Sequence, residues 1–99
     1  MNRTYHVTWS KTGIDELAGI KAYPAHVKER IFVDSFRRLE HSPTLTGKRI
    51  SNGPLEGYWV RSGLYHVLLI FRVDEETLSV QIDGFKHKAQ DVYWKRGKQ

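Results

Sequence analysis

The 99-residue chain contains no cysteine. That absence excludes a disulfide-stapled secreted scaffold, a thiolate zinc site and a cysteine nucleophile together. Long apolar runs are missing too: the longest, residues 67–71, is far short of the roughly 18 residues of a membrane span. Arg3 charges the N-terminus but no apolar stretch follows it, so no signal peptide is expected and a cytoplasmic location is. The chain also lacks a Gly-x-Gly-x-x-Gly fingerprint, a P-loop and a His-Glu-x-x-His helix. Its five histidines have no metal-ligand spacing, so neither metal nor cofactor is expected. The acids fall mainly in turns, which argues against a paired-carboxylate glycosidase, and no serine sits at a strained elbow.

Acid is the scarcer charge. Sixteen Lys and Arg against 11 Asp and Glu give +5, with a pI near 9.6, a field that favours polyanions such as nucleic acid. The cations gather at the C-terminal end, where Lys86, Lys88, Lys95, Arg96 and Lys98 are opposed by Asp91 and interleaved with Tyr93 and Trp94. This end is either a nucleic-acid contact or a solvated terminus. Length and a 39% apolar content predict one globular domain, 1–99, with a thin core.

Residues 4–9 alternate Tyr5, Val7 and Trp9 on one face, the pattern of a half-buried strand, and Trp9 is assigned to the core. Ser10 or Thr12 caps a first helix with Asp15 and Glu16 in its first turn and Ile14, Leu17 and Ile20 on its apolar face. Pro24 ends it and opens a second helix with a stripe of Val27, Ile31, Phe32, Phe36 and Leu39, stopped by Ser42-Pro43. Loop 44–54 follows, with a short strand around Arg49 and Ile50. Strands are then expected over 55–61, 65–73 and 78–82, the last ended by Gly84, with a short helix or extended tail over 89–96. The expected fold class is α+β: an N-terminal strand, a helical hairpin, then an antiparallel three- to four-stranded meander with helices on one face. In such a meander Arg61, His66, Lys86, His87, Lys88 and Tyr93 cluster near strand ends.

Residues 55–67, LEGYWVRSGLYHV, and 82–93, IDGFKHKAQDVY, carry a resemblance to the RelE/ParE toxin superfamily. The first is similar to its pattern of Leu-x-Gly, an aromatic, then Arg-x-Gly-x-Tyr-Arg-Val. The second is similar to its ending of strand, basic segment and acid-Val-Tyr. The resemblance implies the toxin of a type II toxin–antitoxin pair, with a cognate antitoxin as partner. RelE-type activity would be metal-independent cleavage of mRNA in the ribosomal A site. There the 2′-hydroxyl attacks the adjacent phosphate while a base, an acid and cations assist.

The roles transfer residue by residue. Tyr93 matches the terminal tyrosine, a base if neighbouring cations lower its pKa. His87 lies in the basic segment and would protonate the leaving group. Arg61 matches an arginine expected to face phosphate. Lys86, Lys88, Lys95 and Arg96 would attract RNA, and Lys48 and Arg49 stand in for the family's paired lysines, whose positions near Gly57 and Trp59 lack them. His66 replaces a frequently catalytic arginine; it either joins acid–base catalysis or marks altered activity. Each position has a plainer reading. Arg61 ends a strand and pairs with Glu56 or Asp74, His66 is a sheet histidine, Tyr93 packs a C-terminal turn, and Trp59 and Trp94 serve the core rather than stack bases. The alternative functions on this scaffold are a ParE-type gyrase inhibitor and a non-enzymatic RNA-binding module.

Overall fold

The computed structural model describes residues 4–87, 90 and 92–96. Lys88 lies outside the described residues, as do the side chains of Lys95 and Arg96. The order is β1 (His6–Trp9), α1 (Lys11–Gly19), α2 (Ala25–Glu40), β2 (Lys48–Arg49), β3 (Trp59–Ser62), a 3-10 turn (Leu64–His66), β4 (Leu68–Asp74), β5 (Ser79–Lys86) and α3 (Tyr93–Arg96). The fold is α+β, and the strands form one five-stranded sheet in the order β1-β5-β4-β3-β2.

The expected meander is present as β3-β4-β5, antiparallel throughout, and β2 extends it antiparallel at one edge. At the other edge β1 pairs parallel with β5, so the sheet is mixed and larger than expected. Alternation in residues 4–9 marks a half-buried strand, but it carries no information about the neighbour that strand will choose.

Ser10 caps α1 by accepting a hydrogen bond from the Gly13 N–H at 3.1 Å. With the cap there, Asp15 and Glu16 fall one turn later than expected. Gly13 rather than Ile14 faces the sheet. A Cβ on Gly13 would lie 2.6 Å from the Ile82 carbonyl, so glycine lets the helix rest directly on β5, while Ile14 stays 44% exposed. On α2, Ile31, Ser35 and Leu39 are buried. The Ser35 hydroxyl accepts from Trp9 Nε1 at 2.8 Å and donates to the Phe32 carbonyl at 2.6 Å, so the buried polar group is satisfied.

The main core lies between α1, α2 and one sheet face, where Val7, Leu17, Ile31, Leu39, Leu69, Phe71, Val80, Ile82 and Phe85 meet. Each such side chain contributes about 1.5–3 kcal/mol by leaving water. Helices do not occupy that face alone. Ile50, Val60 and Ile70 form a second cluster on the opposite face, covered by Leu55, Tyr58, Tyr93 and Trp94, so α3 and loop 50–58 close the other side.

Gly84 does not end the last strand, which continues to Lys86. Ile70 pairs with Gly84 and Phe71 with Ile82, leaving Asp83 as an extra residue in a β-bulge. Residues three apart on a regular strand face opposite sides. The bulge lets both Ile82 and Phe85 reach the main core.

Candidate active site

The segment expected to begin β4 at Tyr65 instead forms the turn Leu64–His66. Gly63 N–H donates to the Val67 carbonyl at 2.7 Å, and His66 N–H donates to the Gly63 carbonyl at 3.0 Å. Inside this closed loop Tyr65 and His66 both take φ of +62°, the left-handed region that side chains with a Cβ rarely adopt. Each such residue costs about 1–2 kcal/mol. The conformation turns both rings out of the sheet, and both residues are exposed.

A cavity of about 430 Å³ is lined by Tyr23, Val27, Tyr65, His66 and His87. Tyr23 comes from the link between α1 and α2, Val27 from the first turns of α2, and His87 from the residue after β5. The Tyr23 and His87 rings pack with centroids 5.1 Å apart at 40°. His87 is tied to Gln90: its N–H donates to Gln90 Oε1 at 2.6 Å, and its carbonyl accepts from Gln90 N–H at 2.9 Å. Glu16 of α1 anchors the end of β5 beside the cavity. It accepts from Phe85 N–H at 2.8 Å and pairs with Lys86 Nζ at 3.5 Å. Two imidazoles in one cleft can serve as proton acceptor and proton donor, and flanking phenol rings can stack a nucleobase. Among the described residues no three His, Asp or Glu side chains converge to hold a metal ion.

Arg61 and Tyr93 are elsewhere. Strand alternation puts Val60 in the second cluster and Arg61 on the helical side, where Arg61 Nη1 lies 3.2–3.3 Å from the carbonyls of Arg38, Ser42 and Pro43, around the end of α2. Burial, reinforced by the charge of Arg38, pushes its pKa down. Neither Glu56 nor Asp74 is its partner among the described residues. Tyr93 sits over the opposite sheet face. Its hydroxyl donates to the Asn52 carbonyl at 2.7 Å and accepts from the Leu55 N–H at 3.0 Å.

No protein-family model matches the sequence, and no curated protein matches it significantly. Among solved structures the chain is similar to one in the crystal structure of the RelBE2 toxin–antitoxin complex from Mycobacterium tuberculosis. Identity is 25%, 89% of this chain and 95% of that chain are covered, and the TM-score is 0.70. The chain is RelE-like.

Of the basic residues singled out from the sequence of this RelE-like chain, Lys86 immediately precedes the cavity-lining His87 and pairs with Glu16. Lys48 and Arg49 sit exposed on the β2 edge, with the Arg49 guanidinium 5.9 Å from the Trp59 ring centroid. Trp59 packs on the main core and Trp94 on the second cluster, so both indoles serve packing here. The structure therefore brings together His66 and His87 and separates Arg61 and Tyr93 from them. Sequence reasoning did not single out Tyr23, Val27 or Tyr65 as site residues. Tyr23 precedes Pro24 and reads as a helix boundary, and Tyr65 opens an apolar run and reads as a strand residue. The Ser62-Gly63 pair reads as a turn that ends the preceding strand, and the turn here runs on through His66.

The RelE-like fold also carries a polar network at its bulge. Asp83 accepts from Tyr58 Oη at 3.0 Å and Gln81 Nε2 at 2.7 Å, and lies 3.3 Å from Arg72 Nε. Burial pushes the Asp83 carboxyl up. Hydrogen bonds from Gln81, Ser10 and Tyr58, with the charge of Arg72, outweigh it and hold the group below the usual carboxylate range. Its hydrogen bond to Asp83, aided by burial, raises the Tyr58 pKa.

Proposed function

We propose that the chain is the toxin of a type II toxin–antitoxin pair and cuts mRNA as a ribosome-dependent endoribonuclease. Similarity to a chain of the RelBE2 complex supports the toxin role and a cognate antitoxin as partner. The observation that carries the chemistry is the shared cavity of His66 and His87. In the reaction His66 takes the proton of the mRNA 2′-hydroxyl and the oxygen bonds to the adjacent phosphorus. His87 then protonates the departing 5′-oxygen as its bond to phosphorus breaks. The products are a 2′,3′-cyclic phosphate and a free 5′-hydroxyl, and no metal is needed. Lys86, with Lys88 following in sequence, supplies positive charge toward the phosphate, and the Tyr23 and Tyr65 rings give a neighbouring base a flat surface. The antitoxin segment that neutralises this basic protein would be rich in acids and apolar residues and would order on binding.

The test is cleavage of an mRNA on purified translating ribosomes by wild type, His66→Ala, His87→Ala and Tyr93→Phe. A-site cuts are expected from wild type, with each histidine variant slowed about 10²-fold or more. Cleavage at wild-type rate by both histidine variants removes the assignment.

One observation favours a second reading, a ParE-type gyrase inhibitor. Two of the four residues carried over as catalytic, Arg61 and Tyr93, direct their polar atoms to the chain's own backbone. Intact mRNA together with blocked supercoiling by purified gyrase selects that reading.

A further inference from the structure

Among the described residues, nothing packs over the outer face of α2. Val33 stands 61% exposed at the middle of the helix. A groove of about 760 Å³ runs along this face past His26, Glu29, Val33, Arg37 and Glu40, with Phe36 and Leu64 as further apolar lining. Among the described residues the ion pair within α2 is Arg38 with Asp34, at 2.6 Å, and no ion pair engages Glu29, Arg37 or Glu40.

The order of these residues is self-complementary. Glu29 and Arg37 lie four positions either side of Val33, and His26 and Glu40 lie seven either side. Steps of four and seven return to the same helix face. Two copies of α2 crossing antiparallel about a two-fold axis at Val33 therefore set Glu29 against Arg37 twice, His26 against Glu40 twice, and Val33 against itself. Arg30 then meets the edge of the partner's Phe36. This is the isologous pattern a two-fold contact requires, the same patch meeting itself. Glu29 and Glu40 oppose RNA on this face, and the two arginines are balanced by them, so an acidic segment gains little either.

We infer that the outer face of α2 is a self-association surface, and that a second copy of this chain docks on it through a two-fold axis at Val33. The inference does not depend on the proposed RNA chemistry. Its apolar content is small, which sets a weak association, with a Kd on the order of 10–100 µM.

Sedimentation of the full chain across two decades of micromolar concentration, with charge-swap variants, tests this. Wild type is expected to pass from monomer to dimer. Glu29→Arg alone and Arg37→Glu alone each set like charges face to face twice and weaken the dimer about tenfold or more. The double variant E29R/R37E restores the pairs in reverse and returns the Kd to within about threefold of wild type. Both positions are exposed, and unchanged far-ultraviolet circular dichroism checks that each variant folds. A monomer at every concentration, a dimer indifferent to both single swaps, or a folded double variant that stays monomeric overturns the proposal. So does a wild type that stays monomeric while it binds its antitoxin through this face, with Val33→Asp abolishing that binding.

Discussion

The Tyr93 hydroxyl stands between two readings of one residue. A phenol among cations can become a base when their charge lowers its pKa. Here its oxygen accepts from Leu55 N–H and its proton goes to the Asn52 carbonyl, which ties α3 to loop 50–58. Gly53 passes so close beneath the ring, with φ of +79°, that a Cβ there would lie 2.4 Å from a ring carbon. Removing the hydroxyl leaves a donor and an acceptor unpaired, so Tyr93→Phe is expected to cost about 1–2 kcal/mol, read as a lower midpoint in urea. An unchanged midpoint would show that the two hydrogen bonds contribute nothing. A loss of growth arrest in this variant has to be weighed against its stability before a catalytic role is assigned. Arg61 teaches the same lesson. The sequence shows which atoms it can offer, but Val60 facing one side of β3 is what sends Arg61 to the carbonyls around the end of α2.

At the scale of elements, a local irregularity decides what the sheet presents. The bulge at Asp83 aligns Ile82 and Phe85 on one face and gathers Tyr58, Gln81 and Arg72 around a carboxylate held below its usual pKa. A group whose folded pKa is depressed stabilises the fold above its unfolded pKa of about 4, and that contribution is lost as pH falls through the folded value. Asp83→Asn removes the contribution. The stability gap between wild type and variant should therefore be full at pH 5–7 and shrink steadily below about pH 4, in urea titrations at each pH. A gap that stays constant down to pH 2 contradicts this account. Bulges and strained turns are also where the sequence misleads. Gly84 punctuates the pattern and reads as a strand end, because periodicity says nothing about an extra residue whose only signature is a change of phase. Tyr65 and His66 read as strand because they lead into the run at 67–71, while the turn that bares His66 depends on the bonds between Gly63 and Val67. The meeting of His66 and His87 was legible for a different reason: they flank strands that pair as neighbours in a meander.

For the whole molecule, what the sequence exposes divides by separation along the chain. β3, β4 and β5 follow one another through short turns, so their pairing is nearly dictated by order. β1 instead pairs with a strand more than 70 residues away, His6 opposite Ser79, and no local pattern encodes that choice. The same asymmetry should govern folding. Closing so long a loop costs entropy that is repaid only once β5 is in place, so the meander and the helices on its face form the nucleus and β1 docks late. Val7 is 7% exposed and belongs to the main core. Val7→Ala should lose about 1–2.5 kcal/mol, enough for its kinetic partition to be measured. With β1 absent from the transition state, nearly all of that loss appears as faster unfolding, and the refolding rate stays within about twofold of wild type. Ile82→Val, in the core of β5, should instead slow refolding by most of its equilibrium effect. Stopped-flow chevrons of the two variants decide the order. A φ-value above one half at Val7 would mean that the parallel edge forms with the meander, and that the helical hairpin holds β1 near β5 before the rest of the sheet is made.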